Sequence, residues 1–251
     1  MTTWVLLRGL TRGSGHWATF PDMLQRRLGG PRVVTLDLPG NGALSAQRSP
    51  RTIAAMRADC QRQMHALGVP APYHVLAVSL GGLIAIDWAA HDPASLAACV
   101  LVNGSLRGVS PWHQRLRPSS YGRLLRIAAG SNAFQQECAI LALTSRDASA
   151  ADRVIDLWAA LRAHQPVSRA NALRQLWAAW RYAPPARAPA VPMLVLSSLG
   201  DVLVDPRCSA SIGTRWTCET AVHPWAGHDL TLDDPAWVAD RVALTFPRPS
   251  G

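Results

Sequence analysis

The residues best suited to chemistry sit at the ends of three short apolar runs. The first run closes on Leu76-Ala77-Val78-Ser79-Leu80-Gly81-Gly82, a small-x-Ser-x-Gly turn between a strand-like and a helix-like stretch. A serine on so tight a turn takes a strained backbone, and the residues two before and two after it come so close that only small side chains fit; Ala77 and Gly81 meet that need. Its hydroxyl is too weakly acidic to attack an ester without a base. Further on, Pro192 to Leu196 runs into a turn that carries Asp201, 122 residues after Ser79. His228 follows 27 residues later, in His223-Pro224-Trp225-Ala226-Gly227-His228-Asp229. Serine, acid and histidine in this order fit a nucleophile, the group that orients the base, and the base. Asp205 is a rival acid. Asp229 is expected to be a solvated neighbour and His223 a strand-end residue.

These residues need a scaffold that brings the run ends together. Six runs are rich in β-formers: Trp4 to Leu7, Arg32 to Asp37, Tyr73 to Val78, Ala98 to Val102, Pro192 to Leu196 and Thr217 to Val222. They are continuously apolar rather than alternating, as strands of a parallel sheet buried on both faces are. Helix patterns such as Ile53 to Leu67 and Gly82 to Ala90 lie between them, so the expected class is α/β with a doubly wound sheet. Functional residues then belong at the carboxyl ends of the strands. Residues 105–186 break the alternation: they hold no strand pattern but three helical ones, Ala133 to Thr144, Ala150 to His164 and Arg169 to Tyr182. Ser168 is placed to cap the last, and Pro184-Pro185 stops it. The expected division is a core of 1–104 and 187–251 with a helical lid, 105–186, inserted in it.

With these motifs in place the chain resembles the α/β-hydrolase superfamily over nearly its whole length. Besides the serine turn, Leu36-Asp37-Leu38-Pro39-Gly40-Asn41-Gly42 is similar to that superfamily's D-x-P-G-x-G loop, and Gly200-Asp201-x-x-Val204 and Gly227-His228 are similar to its acid and histidine segments. The resemblance implies an α/β-hydrolase fold, here with a shortened, mostly parallel sheet of about six strands, helices on both faces and a helical lid. It also implies a serine hydrolase that cleaves a carboxylic ester through an acyl-enzyme, with Ser79, His228 and Asp201 as nucleophile, base and acid. Where some relatives carry the acid on an earlier strand, this chain has Asn103, which supplies no carboxylate. The resemblance places two oxyanion-hole donors, the backbone N–H groups of Leu80 and Leu10. Leu10 belongs to Arg8-Gly9-Leu10, where the family has His-Gly-x. Arg8 is expected to turn outward; the alternative is a cation near the pocket that favours an acidic acyl group. Dehalogenases and epoxide hydrolases of this fold use Asp where Ser79 stands.

Charge adds a second signal. The 251 residues carry 25 basic groups, all Arg, against 16 acids, for a net charge of +9. From Arg107 to Arg187 there are twelve Arg and four acids, a net +8, while the rest is close to neutral. An Arg-rich lid over a serine esterase resembles the architecture of pimeloyl-acyl-carrier-protein methyl ester esterases, so a carrier-linked acyl esterase or a thioesterase is the alternative enzyme and an acidic carrier protein the possible partner. A non-enzymatic alternative is a ligand-binding protein on the hydrolase fold. No nucleic-acid motif, metal-ligand cluster or cofactor loop is legible; Arg12 to Trp17 is expected to be a turn into the first helix, with Trp17 packed. Trp158, Trp177 and Trp180 have helical spacing and are expected to pack in the lid core; the alternative is that one of them lines the pocket. Five cysteines without C-x-x-C spacing and a start without a signal-peptide pattern suggest a reduced, cytoplasmic protein with no membrane partner.

Overall fold

Strands that are apolar on both faces need helices on both sides, and the chain supplies them. In the computed structural model, which describes residues 2–130 and 132–247, the strands are β1 (Thr3–Leu7), β2 (Arg32–Leu36), β3 (Tyr73–Val78), β4 (Leu96–Val102), β5 (Met193–Ser198) and β6 (Glu219–His223). They form one sheet in the order β2-β1-β3-β4-β5-β6. Every adjacent pair is parallel, so the expected mostly parallel sheet is wholly parallel. The termini of the expected core, residue 1 and residues 248–251, lie outside the described residues, as does residue 131.

The helices are α1 (Phe20–Arg27), α2 (Ile53–Ala66), α3 (Leu80–His91), α4 (Trp112–Arg115), α5 (Tyr121–Ala129), α6 (Ala133–Thr144), α7 (Ala148–His164), α8 (Arg169–Arg181), α9 (Arg207–Trp216), α10 (Leu230–Asp233) and α11 (Pro235–Thr245). Successive strand residues point to opposite faces. Val5, Leu7, Val75, Ala77, Cys99 and Val195 pack with Met56, Ile84, Trp88 and Ile212 on one side. Leu6, Leu76, Val100 and Leu194 pack with Phe20, Leu24, Val238 and Val242 on the other. Each fully buried Val, Leu, Ile, Phe or Met side chain among them contributes about 1.5–3 kcal/mol. Among the described residues no helix is long and apolar enough to cross a membrane.

Strand ends differ from expectation where a residue has another task. β2 stops at Leu36 because Asp37 turns aside to accept from the N–H groups of Ser14 and Ala43, at 2.5 and 2.8 Å. β6 begins at Glu219 rather than Thr217, because Thr217 adopts the left-handed conformation that ends α9.

Between β4 and β5 the described residues carry α4 to α8 and no strand. Helices α6 and α7 share a small apolar core, in which Leu141, Val154 and Trp158 meet Leu232 of α10. Only one of the three tryptophans packs as expected. Trp158 is fully buried, whereas Trp177 and Trp180 are 49% and 56% exposed. The buried face of α8 is instead Asn171, Gln175 and Ala178, at helical spacing, which leaves both indoles on the outer side.

Candidate active site

At the end of β3 the chain must reverse direction within one residue to start α3, and Ser79 takes φ 54° and ψ −114° to do it. For a non-glycine residue such a conformation is costly and persists only when its surroundings fix it. Here Ser79 N–H donates to Val102 O at 2.9 Å, and Gly82 N–H donates to Ser79 O at 2.9 Å. The close approach is real: a Cβ on Gly81 would lie 2.6 Å from Leu7 O, and one on Gly9 would lie 3.2 Å from Ser79 Cβ. The Ser79 side chain is partly exposed and, among the described residues, makes no hydrogen bond.

Asp201 follows β5. Its carboxylate is buried, with Oδ1 accepting from the N–H groups of Leu203 and Val204 at 2.8 and 2.9 Å. Oδ2 accepts from His228 Nδ1 at 2.7 Å. That bond puts the ring proton on Nδ1 and leaves Nε2 as a base. Burial, the largest single influence, disfavours the imidazolium, but the charge and hydrogen bond of Asp201, with help from Asp229, outweigh it and hold His228 above its ordinary pKa. Asp205, the rival acid, is bound to its own neighbour: Arg207 Nη2 donates to it at 2.7 Å.

The histidine loop is held by three residues outside the expected triad. Asn103, at φ 49°, donates from Nδ2 to the carbonyls of Gly227 and His228 at 3.2 and 2.9 Å. Asp233 accepts from Gly227 N–H at 2.7 Å and from Ser145 Oγ at 2.5 Å. His223 ends β6 as expected, but it also builds the loop: Nδ1 accepts from Ala226 N–H at 3.0 Å, while Nε2 donates to Asp234 at 3.1 Å. The one local signal for Asn103 is its place in the sequence, where some relatives carry the acid.

Two expectations fail together. Arg8 does not turn outward; it is 3% exposed, and Asp229, expected to be solvated, is 4% exposed. The Arg8 guanidinium donates to both Asp229 oxygens, at 3.0 and 2.5 Å, and to Thr231 Oγ1 at 3.2 Å. Its face covers the Trp17 ring at 4.8 Å, so Trp17 is packed as expected. Burial alone would raise the Asp229 pKa, but Arg8 reverses this and holds it low. The fixed guanidinium thus joins the loop after β1 to the residue beyond His228.

That loop and the start of α3 present backbone donors. Leu80 is the first residue of α3, so its N–H has no partner within the helix. Leu10 N–H, likewise, has no acceptor among the described residues. Such donors can stabilise charge developing on a carbonyl oxygen.

A family model described as the alpha/beta hydrolase family matches residues 4–241. A Klebsiella pneumoniae protein named as a carbamate hydrolase, RutD, is 28% identical over 235 residues, covering 92% of this chain and 85% of that one. A pimeloyl-[acyl-carrier protein] methyl ester esterase of Chromobacterium violaceum is 35% identical over 105 residues, 42% of this chain and 38% of that protein. Among solved structures, the enol-lactonase of Burkholderia xenovorans LB400 superposes with a TM-score of 0.78 at 19% identity, covering 97% of this chain and 90% of that one.

Proposed function

We propose, from the premise that the chain belongs to the alpha/beta hydrolase family, that it is a serine hydrolase cleaving a carboxylic ester. The observation that carries this reading is the 2.7 Å bond from His228 to buried Asp201, together with a serine held at positive φ where β3 turns into α3. Ser79 Oγ attacks the ester carbonyl as His228 Nε2 takes its proton; Asp201 fixes the tautomer and stabilises the imidazolium. The N–H groups of Leu10 and Leu80 receive the oxyanion. His228 then protonates the leaving alcohol, and water repeats the sequence on the acyl-serine. Helices α4 to α8 form a lid over this site, on a core of residues 1–104 and 187–251.

Two finer readings of the substrate have support. The near full-length match to a protein named as a carbamate hydrolase favours a carbamate, whose carbonyl meets the same nucleophile and donors. The shorter match to a carrier-protein methyl ester esterase and the exposed Arg123, Arg126, Arg169 and Arg181 favour an acyl group delivered on an acidic carrier. Turnover of p-nitrophenyl esters, the matching thioesters, p-nitrophenyl carbamates and an acyl-carrier-protein methyl ester, each compared with Ser79→Ala, tests the reading. Serine-dependent turnover of the esters is expected. Binding without turnover of any of them would replace the enzyme by a ligand-binding protein on the hydrolase fold.

A further inference from the structure

The loop that carries the Leu10 N–H is gripped by helices outside the sheet. Gln175 of α8 is completely buried, and its Oε1 accepts from Thr11 N–H at 3.0 Å. Its Nε2 donates to Asn41 Oδ1 at 2.7 Å and to Ser49 Oγ at 3.0 Å. Asn41 in turn donates to Arg12 O at 3.0 Å. The next residue is seized as well: Arg12 Nη1 donates to Glu137 Oε2 of α6 at 2.6 Å, and Glu137 Oε1 accepts from Arg162 Nε of α7 at 2.5 Å.

Thr11 needs this support. It stands at φ 58°, a left-handed conformation that a β-branched residue keeps only under external constraint. The peptide plane bearing Thr11 N–H is joined through the single Cα of Leu10 to the plane bearing Leu10 N–H. The second plane also carries Gly9 O, which accepts from Arg12 N–H at 3.3 Å, so both planes are held through the Thr11–Arg12 segment, and releasing that segment lets them rotate. On the other side Gly9 faces Ser79 with no room for a side chain, since an added Cβ would lie 3.2 Å from Ser79 Cβ, so the orientation of Leu10 N–H is set from the Thr11 and Arg12 side.

We propose that Gln175 is a positioning residue for the oxyanion loop, so that seating of α8 on the core and completion of the oxyanion hole are one event. This rests on the reading of Ser79 as nucleophile and Leu10 as donor. A residue that only anchored α8 would change the amount of folded enzyme. A residue that aims an oxyanion donor changes how tightly each active enzyme holds a tetrahedral adduct.

The test compares wild type, Gln175→Met and Gln175→Glu, with rates on p-nitrophenyl butyrate expressed per titrated active site and the Ki of a trifluoromethyl ketone measured alongside. Gln175→Met, which cannot accept from Thr11, is expected to lower kcat about 10- to 100-fold with KM within ~3-fold, as displaced catalytic groups do. Its ketone Ki should rise by the factor that kcat/KM falls. Gln175→Glu keeps an acceptor for Thr11 N–H but loses the donor to Asn41 Oδ1, and should recover part of both. Unchanged kcat and Ki in Gln175→Met, or a fall in kcat without a matching rise in Ki, overturns the proposal. Ser49→Ala, which removes one anchor of Gln175 without touching Thr11, supplies the same comparison if Gln175→Met does not fold: parallel changes in kcat/KM and Ki support the proposal, and no change in either overturns it. A wild type that forms no ketone adduct, or a Ser79→Ala that still turns over the ester, overturns the site reading itself and this proposal with it; results confined to the Gln175 variants bear on this proposal alone.

Discussion

Arg8 and Asp229 face each other in a buried, two-pronged ion pair that fastens the loop after β1 to the residue following His228. Removing one partner strands the other charge away from water, which costs about 3–5 kcal/mol. Arg8→Ala and Asp229→Ala are each expected to lose that much in urea unfolding. The double variant Arg8→Met, Asp229→Leu should lose much less than the two losses together. Single losses below about 1 kcal/mol, the range of an exposed pair, would show that the pair does not hold the two loops.

The acid limb of kcat/KM should follow His228, because only the neutral imidazole can take the Ser79 proton. Its pKa is raised, so activity should rise with pH through a midpoint above 6.5. Asp201→Asn removes the main influence raising it; the midpoint should move down while the rate falls about 10⁴-fold. A midpoint below 6.5 in the wild type, or one that Asp201→Asn does not move, would contradict the assigned pair.

His16 titrates in the opposite sense. It is buried against Trp158, with ring centres 5.2 Å apart, and burial together with the charges of Arg12 and Arg8 lowers its pKa to about 2. The unfolded chain therefore binds a proton near pH 6.5 that the folded chain refuses, so this residue's contribution is complete above that pH and is lost as pH falls. Urea unfolding at pH 7 and pH 5 should show a larger loss for wild type than for His16→Gln. Equal losses would mean that His16 is protonated in the folded protein.

Neighbouring glycines at the serine turn should behave differently. A Cβ on Gly81 would meet the backbone oxygens of Leu7 and Arg8 at 2.6 and 2.9 Å, whereas one on Gly82 finds its nearest neighbours at 3.9 Å. Gly81→Ala is expected to cost about 1–3 kcal/mol or more through overpacking and to abolish activity; Gly82→Ala should leave both nearly intact. Comparable melting temperatures for the two would contradict the close approach.

What the chain discloses about itself follows from range. The Ser79 turn, the runs that become β1 to β6, and the loops carrying Asp201 and His228 are local patterns, because a strand end and the turn beyond it are neighbours in sequence. The Arg8–Asp229 pair joins residues 221 apart, and nothing near Arg8 marks it as buried in a chain whose basic residues are all Arg. The same limit blurred the meaning of the basic segment. Arg162 is neutralised by Glu137, and Arg115, Arg117 and Arg146 donate to the carbonyls of Ala179, Asp201 and Gly200, so part of the net +8 is structural rather than offered to a partner. Likewise, the spacing of Trp177 and Trp180 shows a common helix face but cannot say which face turns inward; the buried amides of Asn171 and Gln175 decide that.

The proposed mechanism rests on acylation of Ser79. Rapid mixing of wild type with excess p-nitrophenyl acetate should release about one equivalent of p-nitrophenol in a burst before steady turnover, and mass spectrometry of the quenched enzyme should place the acetyl group on the peptide containing Ser79. Ser79→Ala should show neither. A burst of the same size in Ser79→Ala, or an acetyl group carried by another residue in the wild type, would contradict the account.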